Sequence, residues 1–260
     1  MRVRILGYKS SSHSAKTIAI ATGFKRLRPP ARSKFTGKPS DLIFNWGSSE
    51  VAFRGPLIIN PPHAVINAIN KESTYNILRE KLIPTVESSF DRNKALEWLD
   101  KYGVLFRYSV TSSGGVGMTF VDNIELFDEL CNSRGDPRLW VKYTPKAHEY
   151  RVHVWDSAVL DVQEKKLKEG ASPNKIRSHE NGYIFARADI APPSDVLNYS
   201  VKAVKALKLD FGAVDVGYTT NTQKIVVYEV NTAPGLEGET LNIYSEQFHR
   251  VWDKFKEENA

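Results

Sequence analysis

The sequence predicts an α/β protein whose later part is built of α+β lobes. Strand, helix and strand follow one another within the first 60 residues, the pattern of a small α/β unit. Beyond them, helical blocks alternate with strand-rich blocks, and a Gly-rich loop joins two short strands near the middle of the chain.

Taken in order, residues 3–8 (VRILGY) read as a strand and 13–27 as a helix ending near Gly23. Residues 41–46 (DLIFNW) and 56–60 (PLIIN) are two further strands, the second closed by Pro61 and Pro62. The stretch 28–40 between them, with Gly, Pro and Ser, is a loop. Residues 63–82 read as one helix, broken by Ile-Pro-Thr at 83–85. Asp91 can cap a helix that sets Ala95, Leu96, Trp98 and Leu99 on one face before Gly103. A strand at 104–110, the loop TSSGGVG at 111–117 and a strand at 118–121 come next. Asp122 and Glu125 have capping-box spacing for the following helix. Strands LWVKY, EYRVHVW and AVLDVQEK precede a Lys-rich loop at 165–181. Ser194 is read as the cap of a helix bearing Leu197, Val201, Val204 and Leu207. Strands FGAVDVGY and KIVVYEV and a helix near 241–257 close the chain. The lobes expected are 1–68, 69–138 and 139–260.

Composition narrows the class. At 260 residues the chain can bury a full core, and 41% hydrophobic with 25% charged residues is ordinary for a soluble protein. No apolar run reaches membrane-spanning length, so no membrane partner is expected. The single cysteine, Cys131, rules out an internal disulfide and a multi-cysteine zinc site, which points to the cytoplasm. The net charge of +6 is uneven: residues 1–40 hold ten of the 36 Lys/Arg and no acid, leaving 26 basic against 30 acidic residues. That basic segment suits an anionic partner or is a solvated surface.

Chemistry concentrates in a few places. The 111–117 loop offers unencumbered N–H groups and hydroxyls that can fold over phosphates, and no Gly-Lys-Ser/Thr follows it, so it is not a Walker loop; it also reads as a plain turn. Asp215 lies in one closing strand and Glu229 and Asn231 in the next; a hairpin through TTNTQ brings them together. Three oxygen donors, two of them charged, with room for water and phosphate, is how Mg²⁺ is commonly held; solvated strand ends are the plainer alternative.

These motifs, in this order over residues 56–245, resemble the ATP-grasp superfamily, and in particular its RimK-type and D-alanine-ligase-like carboxylate–amine ligases. The segments that carry the likeness are the stretch from Asn60 through Lys71 to Ile-Pro-Thr, VLFRYSVTSSGGVGMTFV, LWVKYTP, HEYRVHVWDSAVLDVQEK, IRSHENG and DVGY…YEVNTAPGL. The resemblance implies an ATP-grasp fold with a small N-terminal pre-ATP-grasp α/β domain. It also implies that Lys71, Arg107 and the loop residues Ser113, Gly114 and Gly115 contact ATP phosphates. Val141, Lys142 and Tyr143 would hold adenine, and Glu149 would reach the nucleotide. Arg151, Arg177 and Asn181 would be catalytic, and Asp215, Glu229 and Asn231 would ligate two Mg²⁺, with Mn²⁺ as a substitute. At 107 the family carries Lys, a point charge, where this chain has the planar fork of Arg.

The implied reaction is ATP-dependent: a carboxylate donor takes the γ-phosphoryl group, and an amine acceptor displaces phosphate from the acyl phosphate to give an amide. Glu237 and Glu239 are expected on the acceptor side, and the basic first segment favours an acidic peptide or another anionic substrate. An ATP-grasp kinase of a phosphorylated small molecule and a non-catalytic nucleotide-binding protein are the rival readings. Nucleic-acid binding has charge behind it and no motif, and the sequence leaves oligomeric state open.

Overall fold

The computed structural model describes residues 1–28, 33–50, 53–111 and 117–260. In its first part, β1 (Arg2–Gly7), β2 (Lys25–Leu27), β3 (Asp41–Trp46) and β4 (Leu57–Ile59) form a parallel sheet in the order β2-β1-β3-β4. β3 is buried throughout, as a central parallel strand must be, and Leu42, Ile43 and Phe44 in its middle are correspondingly apolar. Helix α1 (His13–Thr22) is capped by the Ser12 hydroxyl, which accepts from the Ala15 N–H, and stops at Gly23 in the left-handed region. The helix thus ends where Gly23 was expected to end it, and 25–27, read with it, is a separate strand.

The single helix expected at 63–82 is two, α2 (Pro62–Ile69) and α3 (Lys71–Glu80). Asn70 divides them: its backbone is extended, and its side-chain oxygen accepts from the N–H groups of Glu72 and Ser73. Pro84 and Thr85 then fasten the chain to the C-terminal part. Pro84 O accepts from the Val227 N–H (2.9 Å), and the Thr85 hydroxyl donates to Val227 O (2.8 Å).

The central sheet runs β5-β8-β6-β7, all antiparallel, with β5 (Ser88–Ser89), β6 (Val104–Arg107), β7 (Met118–Val121) and β8 (Leu139–Lys142). Helices α4 (Arg92–Tyr102) and α5 (Ile124–Arg134) cover one face and bury Trp98, Phe106, Phe127 and Trp140. Asn123, not Asp122, caps α5, its oxygen accepting from the Leu126 N–H. β8 begins just past the expected lobe boundary at 138, yet its hydrogen bonds go to β5 and β6. The strand expected over 104–110 ends at Arg107, and of the phosphate loop expected over 111–117, residues 112–116 lie outside the described residues.

The third sheet is antiparallel, β11-β10-β9-β12-β13: β9 (His148–Trp155), β10 (Ala158–Leu167), β11 (Tyr183–Ala186), β12 (Phe211–Thr219) and β13 (Lys224–Asn231). Strand alternation sorts its two faces. Tyr150, Val152, Val154, Val214 and Val216 pack on one side against α2 and α6 (Ser194–Ala206). Ser194 is the first residue of α6, and the cap position is Pro193, with no side-chain bond. Glu149, Arg151, His153 and Asp215 face the other way, the first two and Asp215 toward the central sheet and His153 toward Tyr244. Helix α7 (Glu239–Glu258) returns to α1 and the first sheet, so Trp46, Trp155, Phe211, Tyr244 and Phe248 share one core.

Candidate active site

The central and C-terminal sheets enclose a cleft of about 360 Å³, open at one side. Its walls bring together most of the residues expected from the sequence: Arg107, Val141, Lys142, Tyr143, Glu149, Arg151, Arg177, Asp215 and Glu229. Lys71, at the start of α3, joins them through Glu229, with its ammonium 2.9 Å from Glu229 Oε2. Ser113, Gly114 and Gly115 lie outside the described residues.

The hairpin of β12 and β13 sets Asp215 directly opposite Glu229 and Ala213 opposite Asn231. Neither carboxylate is free. Arg151 grips Asp215 with two bonds, Nε to Oδ1 (2.7 Å) and Nη2 to Oδ2 (2.9 Å), and the Lys165 ammonium lies 2.9 Å from Oδ2. Burial opposes the charge on Asp215, but Arg151 and Lys165 outweigh it and hold the carboxyl well below the usual range. Glu229 behaves alike: burial acts upward, and Lys71 pulls its pKa down on balance. Asn231 Nδ2 donates to Glu229 Oε1 (3.1 Å).

Glu149, 4% exposed, sits between two lysines, Lys165 at 2.5 Å and Lys146 at 2.8 Å. Burial lowers the pKa of Lys146; it opposes charge on Lys165 too, but Asp215 and Glu149 raise that group on balance. Arg107 is different. It is buried, its Nη2 meets only the Met118 sulfur (2.9 Å), its Nε has no partner, and among the described residues no carboxylate pairs with it. A buried guanidinium without a counter-ion asks for an anionic ligand.

Two expected residues are engaged elsewhere. Arg177 donates to the carbonyls of Lys146 and Ala147 (3.1 Å each) and so ties the 168–182 loop to the segment after β8. Asn181 donates to Ile176 O (2.7 Å) inside that loop and is not in the cleft wall. On the opposite wall the N–H groups of Lys142 and Tyr143 are spent on Glu87 O and Gly103 O, and the Lys142 ammonium pairs with Glu87. Any purine held here meets their side chains and carbonyls, not those donors.

No protein-family model matches the chain, and no curated protein matches it. Solved structures do. D-alanine–D-alanine ligase from Bacillus anthracis is similar at a TM-score of 0.67 and 14% identity, over 99% of this chain and 96% of that one. The ATP-grasp ligase PsnB, complexed with minimal precursor, gives 0.66 and 14% over 92% of each chain. The macrocyclase MdnC from Microcystis aeruginosa MRC, bound with precursor peptide MdnA, gives 0.62 and 13% over 95% and 98%.

The chain has the ATP-grasp fold.

Lys146, Lys165 and Tyr228 are among the residues of this ATP-grasp cleft that escape the sequence reading. Lys165 lies two positions beyond Gln163, the register partner of Arg151, so period-2 alternation puts it on the cleft face; the strand extends to Leu167, where a loop was expected from 165. Tyr228 enters through a register shift. Asp215 pairs with Glu229 but Val216 with Val227, so Tyr228 is an extra residue and lines the cleft beside Glu229. The chemistry of the site fits a nucleotide and its metal: unpaired Arg107 suits phosphate, and Asp215, Glu229 and Asn231 are hard oxygen donors of the Mg²⁺ kind. Among the described residues no group of three or more His, Cys, Asp or Glu stands together as a metal cluster.

Proposed function

We propose that this chain is an ATP- and Mg²⁺-dependent carboxylate–amine ligase that forms a peptide-like amide bond through an acyl phosphate. The observation that carries the reading is the buried, unpaired Arg107 facing the acidic pair Asp215 and Glu229 across one cleft. Its support is the fold: the ATP-grasp neighbours are described as ligases or as a macrocyclase, with structures complexed with ATP and with Mg and ADP.

In this reading Arg107 and Lys71 bind phosphate oxygens, with Ser113, Gly114 and Gly115 closing over them. Val141 and Tyr143 pack on the base, and Glu149 accepts from the nucleotide. Asp215, Glu229 and Asn231 would hold Mg²⁺, two ions in this reading, which supplies charge neutralisation on the transferring phosphoryl group. Arg151 offsets charge at the reacting carboxylate. Arg177 joins it only on leaving the two carbonyls it now holds, and Asn181 only if its loop moves. PsnB and MdnC are described with precursor peptides, which favours a peptide among this chain's substrates. The exposed Glu237 and Glu239 would meet the amine acceptor, and the single buried Cys131 suits a cytoplasmic enzyme.

The test is ATP turnover with Mg²⁺ over a panel of amino acids and acidic peptides, reading phosphate release and product mass together. The expected result is ADP and a product heavier by one condensed residue, lost in Asp215→Asn and Glu229→Gln. A phosphorylated acceptor, formed with no amine present, would move the assignment to a kinase.

A further inference from the structure

Every carboxylate oxygen proposed for the metal already has a partner. Arg151 and Lys165 take both oxygens of Asp215, and Lys71 and Asn231 take those of Glu229. Around them, among the described residues, Lys71, Lys146, Arg151 and Lys165 face only three carboxylates, Glu149, Asp215 and Glu229. A divalent ion arriving alone would have to displace ammonium and guanidinium groups and enter a buried site that is already net positive. Coulomb repulsion at these separations is strong, because little water screens it. Phosphate reverses the balance. Its oxygens can accept from the same cations, drawing them off the carboxylates while adding negative charge.

Lys165 is the residue that spans the two functions. Its ammonium bridges Glu149, on the nucleotide side, and Asp215, on the metal side, at 2.5 and 2.9 Å. We propose that Lys165 is a positioning residue that makes metal binding conditional on nucleotide. In the free protein it helps to mask Asp215, and when phosphate arrives it moves to phosphate and releases that oxygen. The inference rests on the reading of the cleft as a nucleotide-and-metal site, and it concerns the order in which the two bind.

The experiment follows Mn²⁺ by the loss of its free electron-paramagnetic-resonance signal, with the full chain and with or without ADP, each reading taken against the same solution without protein because ADP alone also binds Mn²⁺. Wild-type protein should take up Mn²⁺ with ADP and not without it. Lys165→Met should raise the ADP-free affinity about tenfold or more, since a charge within ion-pair distance of the site is gone. Lys165→Arg keeps the charge and should keep the exclusion. Adding Asp215→Asn to Lys165→Met should abolish the gain, which places the ion at this carboxylate. Lys71→Met, acting on Glu229, should move ADP-free affinity in the same direction and does not depend on Lys165→Met folding well. Equal Mn²⁺ binding with and without ADP in the wild type, or no gain in Lys165→Met, overturns the inference and leaves the site assignment standing. No Mn²⁺ uptake even with ADP overturns both.

Discussion

His153 is fully buried on the cleft face of β9, with Nδ1 3.1 Å from the Tyr244 hydroxyl and Nε2 without a partner. Burial, with the charge of Arg151 added, pushes its pKa down to about 4. In the unfolded chain the ring titrates near its ordinary value of about 6.5. Between those values the unfolded state binds the extra proton, so stability should rise with pH from about 4 to about 6.5 and lose this slope above. The swing from this group is about 3 kcal/mol. His153→Gln should flatten it, and denaturant midpoints measured across that window will show whether it does. Arg107 makes the opposite kind of prediction, one in which stability and binding part. Its buried charge has no carboxylate partner among the described residues, so Arg107→Met should stabilise the free protein by about 1 kcal/mol or more. In the proposed site the same change would remove charge-assisted bonds to phosphate worth about 1.5–3 kcal/mol, an expected loss of tenfold or more in ADP affinity. Thermal unfolding and ADP titration on one preparation test both signs together.

At the scale of elements, the site depends on where strands keep register and where they break it. Asp215 opposite Glu229 was legible in the sequence, because two alternating Val-rich runs joined by a short polar turn leave one natural pairing. Tyr228 was not: alternation sends it to the face opposite Glu229, and only the bulge, which depends on the partner strand, turns it into the cleft. Lys165 was hidden by polarity, since KKLKEG reads as the start of a loop when the pairing of β10 with β11 is unseen. The break between α2 and α3 was hidden for a related reason. Asn70 sits within a good helical pattern, and its value as a cap, which fixes Lys71 as the first residue of α3, appears only once the chain turns there. The bulge carries a prediction. Gly217 lies beneath Tyr228, and a Cβ there would collide with the phenol ring and hydroxyl. Gly217→Ala should destabilise the protein by about 1–3 kcal/mol through overpacking. It should also weaken ADP binding, whereas Gly212→Ala, which meets Val230 on the other side of the same strand, should lower stability with a smaller effect on ADP. Equal effects of the two on ADP would remove Tyr228 from the site.

At the scale of the whole molecule, the parallel sheet and the C-terminal sheet are joined through shared interior. Asn60, buried and in the left-handed region at φ 59°, accepts with Oδ1 from the N–H groups of Asp210 and Phe211 and donates with Nδ2 to Phe211 O. Phe248 on α7 stacks on Phe44 of β3 with ring centroids 4.0 Å apart, and it also meets Trp155 of β9 and Phe211 of β12 at 5.5 and 6.1 Å. The central sheet has its own core around Phe106, Phe127 and Trp140, and it borders the rest through the cleft, the 83–85 segment and a small cluster in which Leu139 and Val141 meet Tyr75 and Val226. Such a division predicts two cooperative units: the outer sheets with α7 unfold together, and the central lobe is freer to move over the cleft. Phe248→Ala should therefore cost about 3–5 kcal/mol, because a fully buried ring is deleted from a packed interior. Its signature is spatial as well as energetic. Native-state hydrogen exchange should accelerate together in β1, β3, β9 and β12, sheets that the order of the chain sets far apart, while amides of β6 and β8 keep wild-type protection. If acceleration were confined to β1 and β3, α7 would belong to the first sheet alone, and the cleft would open by movement between the outer sheets instead of by movement of the central one.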